Sequence, residues 1–335
     1  MQLVIVAGGL GKRLRPITLT RPKALVPLVD RPIVVHAIDR LPRSCDEVLI
    51  AVNYMFEAVR DYFREHAFDV PIRVIHEPTP LGTAGAIKNL ERYVTGPFAA
   101  YNGDVIDTID FDGLVRAHKK GGGIGTIAVW PVDEPSAFGA VEIRGRRIVR
   151  FVEKPAVGGG AGVVNAGRYV FEPQVFDFIA GGREVSLERE VFPRLVEHGL
   201  TPYRYDGWWA DAGTLETYLE AQRLVLAASR AKIAPEADVS SAALTPPVYV
   251  AAGSFVEGHV GPNVAFGRGC KFGRARIRDA ALLDGASVDD KAEVERSILG
   301  AGVGIGEGAA VRDSILGDGV QVPPHAKVLG ERLGK

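Results

Sequence analysis

Leu282-Leu283-Asp284-Gly285, Leu299-Gly300-Ala301-Gly302 and Leu316-Gly317-Asp318-Gly319 begin seventeen residues apart. Around these strings apolar residues recur at six-residue steps: Leu282, Val288, Val294; Leu299, Ile305, Val311; Leu316, Val322, Val328. Val260, Phe266 and Phe272 keep the same step one coil earlier. No helical period survives here, and glycine returns every few residues. Three short sides per coil, each with one inward residue and a glycine-permitted corner, predict a triangular parallel β-helix over 248–330.

Upstream, the pattern differs. Residues 1–228 alternate short apolar strands, such as Leu3–Val6, Glu47–Val52, Ile72–His76 and Phe98–Tyr101, with helical stretches. That order predicts an α/β domain: a Rossmann-like, mainly parallel sheet with helices on both faces. Ligands of such sheets sit outside the carboxyl ends of the strands. The glycine-rich turn after the first strand falls there, and so does Asp104. Residues 229–247 hold Pro235, Pro246 and Pro247 and are expected to link the two domains.

Composition narrows the function classes. The 335 residues suit two domains, and 47% hydrophobic with 24% charged residues exclude global disorder. Forty basic side chains against forty-one acidic ones lack the excess of a general nucleic-acid binder. The apolar runs are far shorter than a bilayer span. The first residues lack a basic leader, so a cytoplasmic protein with no membrane partner is expected. Two distant cysteines, Cys45 and Cys270, suggest no disulfide framework. The seven histidines form no HxH or HxxxH pair and are expected to be structural.

Ala7-Gly8-Gly9-Leu10-Gly11-Lys12-Arg13-Leu14-Arg15-Pro16 follows the first strand directly. Glycines let backbone N–H groups converge on phosphate oxygens. The string is neither a full dinucleotide fingerprint nor a Walker A loop. Its charge is more telling. Lys12, Arg13, Arg15, Arg21 and Lys23 fall close together, with no acid before Asp30. In a near-neutral chain that predicts a local anion site; the plainer reading is a solvated run of charge.

The run Gly8–Thr18 with Arg21-Pro22-Lys23-Ala24-Leu25-Val26-Pro27 resembles the signature of nucleotide-sugar pyrophosphorylases, the sugar-1-phosphate nucleotidyltransferases. The likeness spans nearly the whole chain, since many members carry a C-terminal left-handed β-helix. It implies that Arg13 contacts the nucleotide phosphates and Lys23 the reacting phosphate. Ala7, Gly8, Gly9 and Gly11 then belong to the nucleotide loop. Gly82 and Thr83, in Leu81-Gly82-Thr83-Ala84-Gly85, would border the base; the plainer reading is a closely packed helix start. Asp104 and Asp211 match the aspartates that bind Mg²⁺, against readings as a turn residue and a helix cap. Gly139, Glu153, Lys154, Asn165 and Gly167 match the sugar-phosphate side.

The implied reaction joins an NTP to a sugar 1-phosphate and releases pyrophosphate. Glu77 bears on the base. A carboxylate only accepts hydrogen bonds, and guanine presents two adjacent donors. Guanine is therefore expected, unless Glu77 is a surface acid; Glu77 and the Leu81-Gly82-Thr83-Ala84-Gly85 string together make GTP and mannose 1-phosphate, giving GDP-mannose, the favoured substrates. Glucose-1-phosphate thymidylyl- or uridylyltransfer is the alternative, and a silent nucleotide-sugar sensor is a third reading. The β-helix is expected to join copies of the chain in a homo-oligomer, with acyl transfer as the competing role.

Overall fold

The computed structural model describes residues 1–153, 160–229 and 232–334, excluding the side chains of Ala137, Glu153 and Ser229. Packing divides the chain into two units that do not follow chain order. One comprises Met1–Gly9 and His36–Trp209, the other Leu10–Val35 and Ala210–Lys335. The signature loop thus belongs with the C-terminal half.

In the first unit a sheet is built outward from Gln2–Val6. This strand pairs in parallel with Glu47–Val52 on one side and Phe98–Asn102 on the other, and Ile72–His76 continues the parallel run. Leu3, Val4 and Ile5 are fully buried, as a strand covered on both faces requires. Beyond Phe98–Asn102 the sheet changes sense. Gly162–Phe171 pairs antiparallel to it and to Gly125–Val132, and Gly139–Arg144 and Arg147–Glu153 form an antiparallel hairpin. The sheet is therefore mixed. The expected parallel order holds in the amino-terminal half, where helices separate the strands. Beyond it the sense alternates: a short turn makes the 139–153 hairpin antiparallel, Gly162–Phe171 runs against its neighbours, and Leu200–Arg204 returns in parallel with Gly125–Val132.

The second unit contains a left-handed β-helix of parallel strands. Coil partners lie sixteen residues apart in early coils, as in Val248↔Val264, and seventeen in later ones, as in Ile298↔Ile315 and Val294↔Val311. Every member of the four apolar triplets is buried, from Val260 through Val328. Gly285, Gly302 and Gly319 adopt positive φ at one corner, a conformation open to residues without a Cβ. At another corner Asp279, Arg296, Asp313 and Gly330 take φ values of 46°, 42°, 51° and 69°. Aspartate tolerates this region; arginine adopts it at a cost. Arg296 is held there by two hydrogen bonds of 2.6 Å to the Asp313 carboxylate. Inside, Ser314 N–H donates to Ser297 Oγ and Glu331 N–H to Ser314 Oγ, so buried hydroxyls cap the stack of backbone groups.

The segment expected to be a linker is already coiled. Lys232–Ile233 pairs in parallel with Tyr249–Val250, and Asp238–Leu244 with Phe255–Val260. Its prolines misled the reading because they fall between strands, where no ladder hydrogen bond is lost. Helix Leu215–Ser229 leads into the coils. Gln222 donates to the Asn263 and Ala280 carbonyls at 3.0 and 2.9 Å, and Arg223 pairs with Asp279 at 2.8 Å. Among the described residues no helix is long and apolar enough to cross a membrane.

Leu299 occupies the centre of its inward column and is fully buried. Leu299→Ala is expected to cost about 2–5 kcal/mol in denaturant unfolding, since rigid neighbouring coils cannot collapse onto the cavity.

Candidate functional site

In the first unit, candidate residues gather at the carboxyl ends of the parallel strands. Ala7 N–H donates to the Ala51 carbonyl, and Gly103 N–H to that of Val6. The chain then turns at Gly8. A Cβ there would stand 2.8 Å from Glu77 Oε1 and 3.3 Å from the Asn53 nitrogen. Gly8 is thus a glycine because Glu77 lies against it. Gly9 is exposed, with open space where a side chain would point.

Glu77 is only 2% exposed, which excludes the surface-acid reading. Its backbone is fixed from both sides: its N–H donates to the Val52 carbonyl, and its carbonyl accepts from Asn53 Nδ2 at 2.7 Å. Oε1 is buried and has no hydrogen-bond partner among the described residues. Burial pushes the carboxyl up to about 7, although the Leu81 N–H favours the ionised form. A buried acceptor without a donor is costly unless something supplies one.

Gly82 and Thr83 show the close packing of the plainer reading. A Cβ on Gly82 would meet the Val185 carbonyl oxygen at 2.6 Å. Thr83 Oγ1 donates to Glu188 at 3.0 Å and accepts from the Leu187 N–H at 2.8 Å.

Asp104 stands in the turn between Phe98–Asn102 and Val105–Asp107. The brace for this turn is a residue that sequence reading missed. Arg168 is 1% exposed. Its Nη1 donates to the Asn102 carbonyl and its Nη2 to the Val105 carbonyl, both at 2.7 Å. Its Nε forms an ion pair with Asp107 at 2.8 Å, and its guanidinium lies 4.3 Å from the Tyr101 ring centre. One side chain therefore grips both flanks of Asp104. The available signal was an arginine inside the apolar run Val164–Phe171.

Asn165 and Gly167 lie one bulge away, where register shifts between Asn165 and Tyr169. Asn165 Oδ1 accepts from the Gly167 N–H at 2.9 Å, and its Nδ2 donates to the Tyr169 hydroxyl at 2.7 Å. Gly167, at φ 71°, brings its backbone onto the Asn102 side chain. Bulges of this kind re-aim a strand beside a site. Gly139 is buried and pairs with Glu153 across its hairpin. The Glu153 side chain and Lys154 lie outside the described residues.

In the second unit, Arg13, Lys23 and Asp211 come together. Arg13 Nη2 lies 3.8 Å and Lys23 Nζ 3.9 Å from the Asp211 carboxylate. Lys23 is nearly buried, whereas the Arg13 side chain is 64% exposed and can swing. Gly11, at φ 60°, closes the loop: its carbonyl accepts from Thr18, and a Cβ would strike Thr18 and crowd Lys23. A Cβ on Gly213 would come within 2.6 Å of both Arg13 and Asp211. The helix that follows Asp211 has its own threonine cap. Thr214 and Thr217 form it, with Thr214 Oγ1 accepting from the Thr217 N–H at 3.2 Å. Arg21, counted among the phosphate-attracting cations, instead pairs with Asp318 at 2.5 Å.

The nucleotidyl transferase family model matches residues 2–228, and that of the GMPPB C-terminal domain matches 225–332. A mannose-1-phosphate guanyltransferase of Hypocrea jecorina is 35% identical over 325 residues, covering 90% of this chain and 86% of that one. The catalytic subunit beta of a Xenopus tropicalis mannose-1-phosphate guanylyltransferase is 38% identical over 241 residues, 69% of this chain and 66% of that one. Among solved structures, HddC from Yersinia pseudotuberculosis superposes with a TM-score of 0.57 at 24% identity, covering 66% of this chain and 97% of that chain. That last likeness concerns the fold alone.

The Arg168 brace has a measurable signature. Arg168→Met leaves Asp107 buried without its cation and is expected to cost about 3–5 kcal/mol in denaturant unfolding. Adding Asp107→Asn should recover most of that loss, because the stranded charge goes with it.

Proposed function

Because the chain belongs to the nucleotidyl transferase family, we propose that this nucleotidyltransferase moves GMP from GTP to mannose 1-phosphate and releases pyrophosphate. The names borne by its relatives support this substrate pair. The observation that carries the chemistry is the approach of Arg13 and Lys23 to one carboxylate, at 3.8 and 3.9 Å. Two cations held beside a single acid form a site that a triphosphate can enter by displacing side-chain contacts already made.

The sugar phosphate needs no general base. Its second ionisation falls at about pH 6, so its oxygen is already an anion near neutrality. That oxygen attacks the α-phosphorus in line, and the bond to the bridging oxygen of pyrophosphate breaks. Catalysis is then positioning and charge neutralisation. Arg13 stabilises the departing pyrophosphate, and Lys23 and Lys154 bring two anions together. Ala7, Gly8, Gly9 and Gly11 offer backbone to the nucleotide, and Gly82 and Thr83 border its base. Gly139, Glu153, Asn165 and Gly167 receive the sugar.

Asp104 and Asp211 are the residues that would hold Mg²⁺. The donor set suits it: this ion takes one or two carboxylates with substrate phosphates rather than a full protein cage. Among the described residues no group of three His, Cys, Asp or Glu could form such a cage. When bound, the ion supplies positive charge to the α-phosphate oxygens.

Glu77 reads the base. Ionised, it accepts from guanine N1–H and N2–H together. Protonated, it turns one donor toward a donor edge. Catalysis is assigned to residues 1–228 and contacts between copies to 248–330, where Phe255 and Leu329 are exposed.

Pyrophosphate release should be fastest with GTP and mannose 1-phosphate among GTP, dTTP and UTP paired with mannose or glucose 1-phosphate. No release with any pair overturns the reading, and dTTP or UTP with glucose 1-phosphate in the lead selects the alternative.

The Glu77 assignment has its own pH signature. Its carboxyl sits near 7 instead of 4.5, so KM for GTP should fall as pH rises through about 7 and then level. The unliganded fold disfavours the ionised form, so Glu77 withdraws stability as pH climbs from 4.5 through about 7. Glu77→Gln should abolish both trends, lower kcat/KM for GTP by about 10²-fold or more, and favour dTTP or UTP.

A further inference from the structure

We propose that the last coil of the β-helix is a working part of the transfer site, with Asp318 as a positioning residue for the two phosphate-facing cations of the signature loop. Asp318 stands at a coil corner where its Oδ1 accepts the Ala301 N–H at 2.8 Å, which fixes the carboxylate to the helix beneath. Its Oδ2 faces the loop. There it receives the Thr20 hydroxyl at 2.7 Å and Arg21 Nη2 at 2.5 Å. Burial works against this charge, but Thr20, the Ala301 N–H and Arg21 together hold the carboxyl below its ordinary range.

A second contact comes from the strand Arg332–Leu333, which stacks in parallel on Ile315–Leu316 one turn further along. Arg332 Nη1 donates to the carbonyl of Arg13 and, at 3.3 Å, to that of Arg15. Two glycines complete the seat. A Cβ on Gly317 would lie 3.0 Å from Pro16 Cγ, and one on Gly334 3.2 Å from Pro16 Cβ. The loop rests on a surface kept bare of side chains.

These anchors bear on function because of where they attach. Only Pro22 separates Arg21 from Lys23, so pinning Arg21 pins the Lys23 backbone. Arg332 holds the carbonyl of Arg13 itself. Both cations that face phosphate thus take their backbone position from a coil some three hundred residues further along the chain. Arg21 meanwhile contributes grip rather than phosphate attraction. A misplacement of about 1 Å in such a site is enough to cost about 10²-fold in rate.

This inference rests on assigning Arg13 and Lys23 to the triphosphate. Its test therefore reads both loop order and turnover, in the full chain. Asp318→Asn keeps the acceptor for the Ala301 N–H and removes the charge. Arg21→Met acts from the loop side and leaves the coil untouched, which decides the matter should Asp318→Asn unfold the coil. Each variant should speed hydrogen exchange across residues 10–26 and lower kcat about tenfold, with KM for the sugar phosphate within about twofold. The double variant should be no worse than the weaker single, since both remove one interaction. Arg21→Lys should restore part of the rate. Unchanged exchange in the loop overturns the proposal, as does full turnover in a loosened loop or full addition of the two losses. A wild-type protein that releases no pyrophosphate with any pair defeats the functional reading instead, and loop exchange then decides the anchoring alone.

Discussion

Five cations in one short stretch repel one another, and that repulsion is the constraint to which the second unit is built. Lys12, Arg13, Arg15, Arg21 and Lys23 have no acid among them. Counter-charge must come from elsewhere in the chain. Asp211, at the end of strand Trp209–Asp211, lies beside Arg13 and Lys23. Asp318, in the final coil, takes Arg21. The two carboxylates differ in kind. One is shared between two cations at nearly 4 Å, contacts that the proposed triphosphate would replace. The other is close and multiply bonded. The loop thus combines a fixed end with an exchangeable one.

The first unit solves a different problem, that of holding acids where water is scarce. Glu77 is buried against the backbone of Gly8, and its raised pKa records the cost of its charge. Asp107 is buried too, but Arg168 lies against it. The contrast has meaning. A buried carboxylate with a cation beside it serves architecture, here the turn that carries Asp104. A buried carboxyl with a bare oxygen is held ready for donors that arrive from outside.

The β-helix was legible residue by residue, because its signal is periodic and its inward positions admit only apolar side chains. Every member of the four triplets lies in the core. The parallel strands of the amino-terminal half were legible for a similar reason. What escaped was set by partners distant in sequence. Nothing near Arg168 announces Asp107, and nothing near Arg21 announces Asp318. The antiparallel pairings of Gly162–Phe171 and of the 139–153 hairpin were not legible, because strand order does not reveal strand sense. The coils before residue 248 were hidden by prolines that fall between strands. Glu77 was legible as a candidate, but its burial depends on strands brought together from 47–52 and 72–76.

The repeating coil also limits how this chain can change in length. Each turn repeats the same corners, with Asp279, Arg296, Asp313 and Gly330 in one column. One residue can be taken up at a corner, since early coils repeat every sixteen residues and later ones every seventeen, but a larger gain or loss inside the stack is accommodated in whole turns that keep inward residues inward. Whole turns advance the end of the stack along its axis, however, and the end carries the seat of Pro16. The stack therefore behaves as a ruler: its number of turns is set by the height at which a loop from the beginning of the chain must be met.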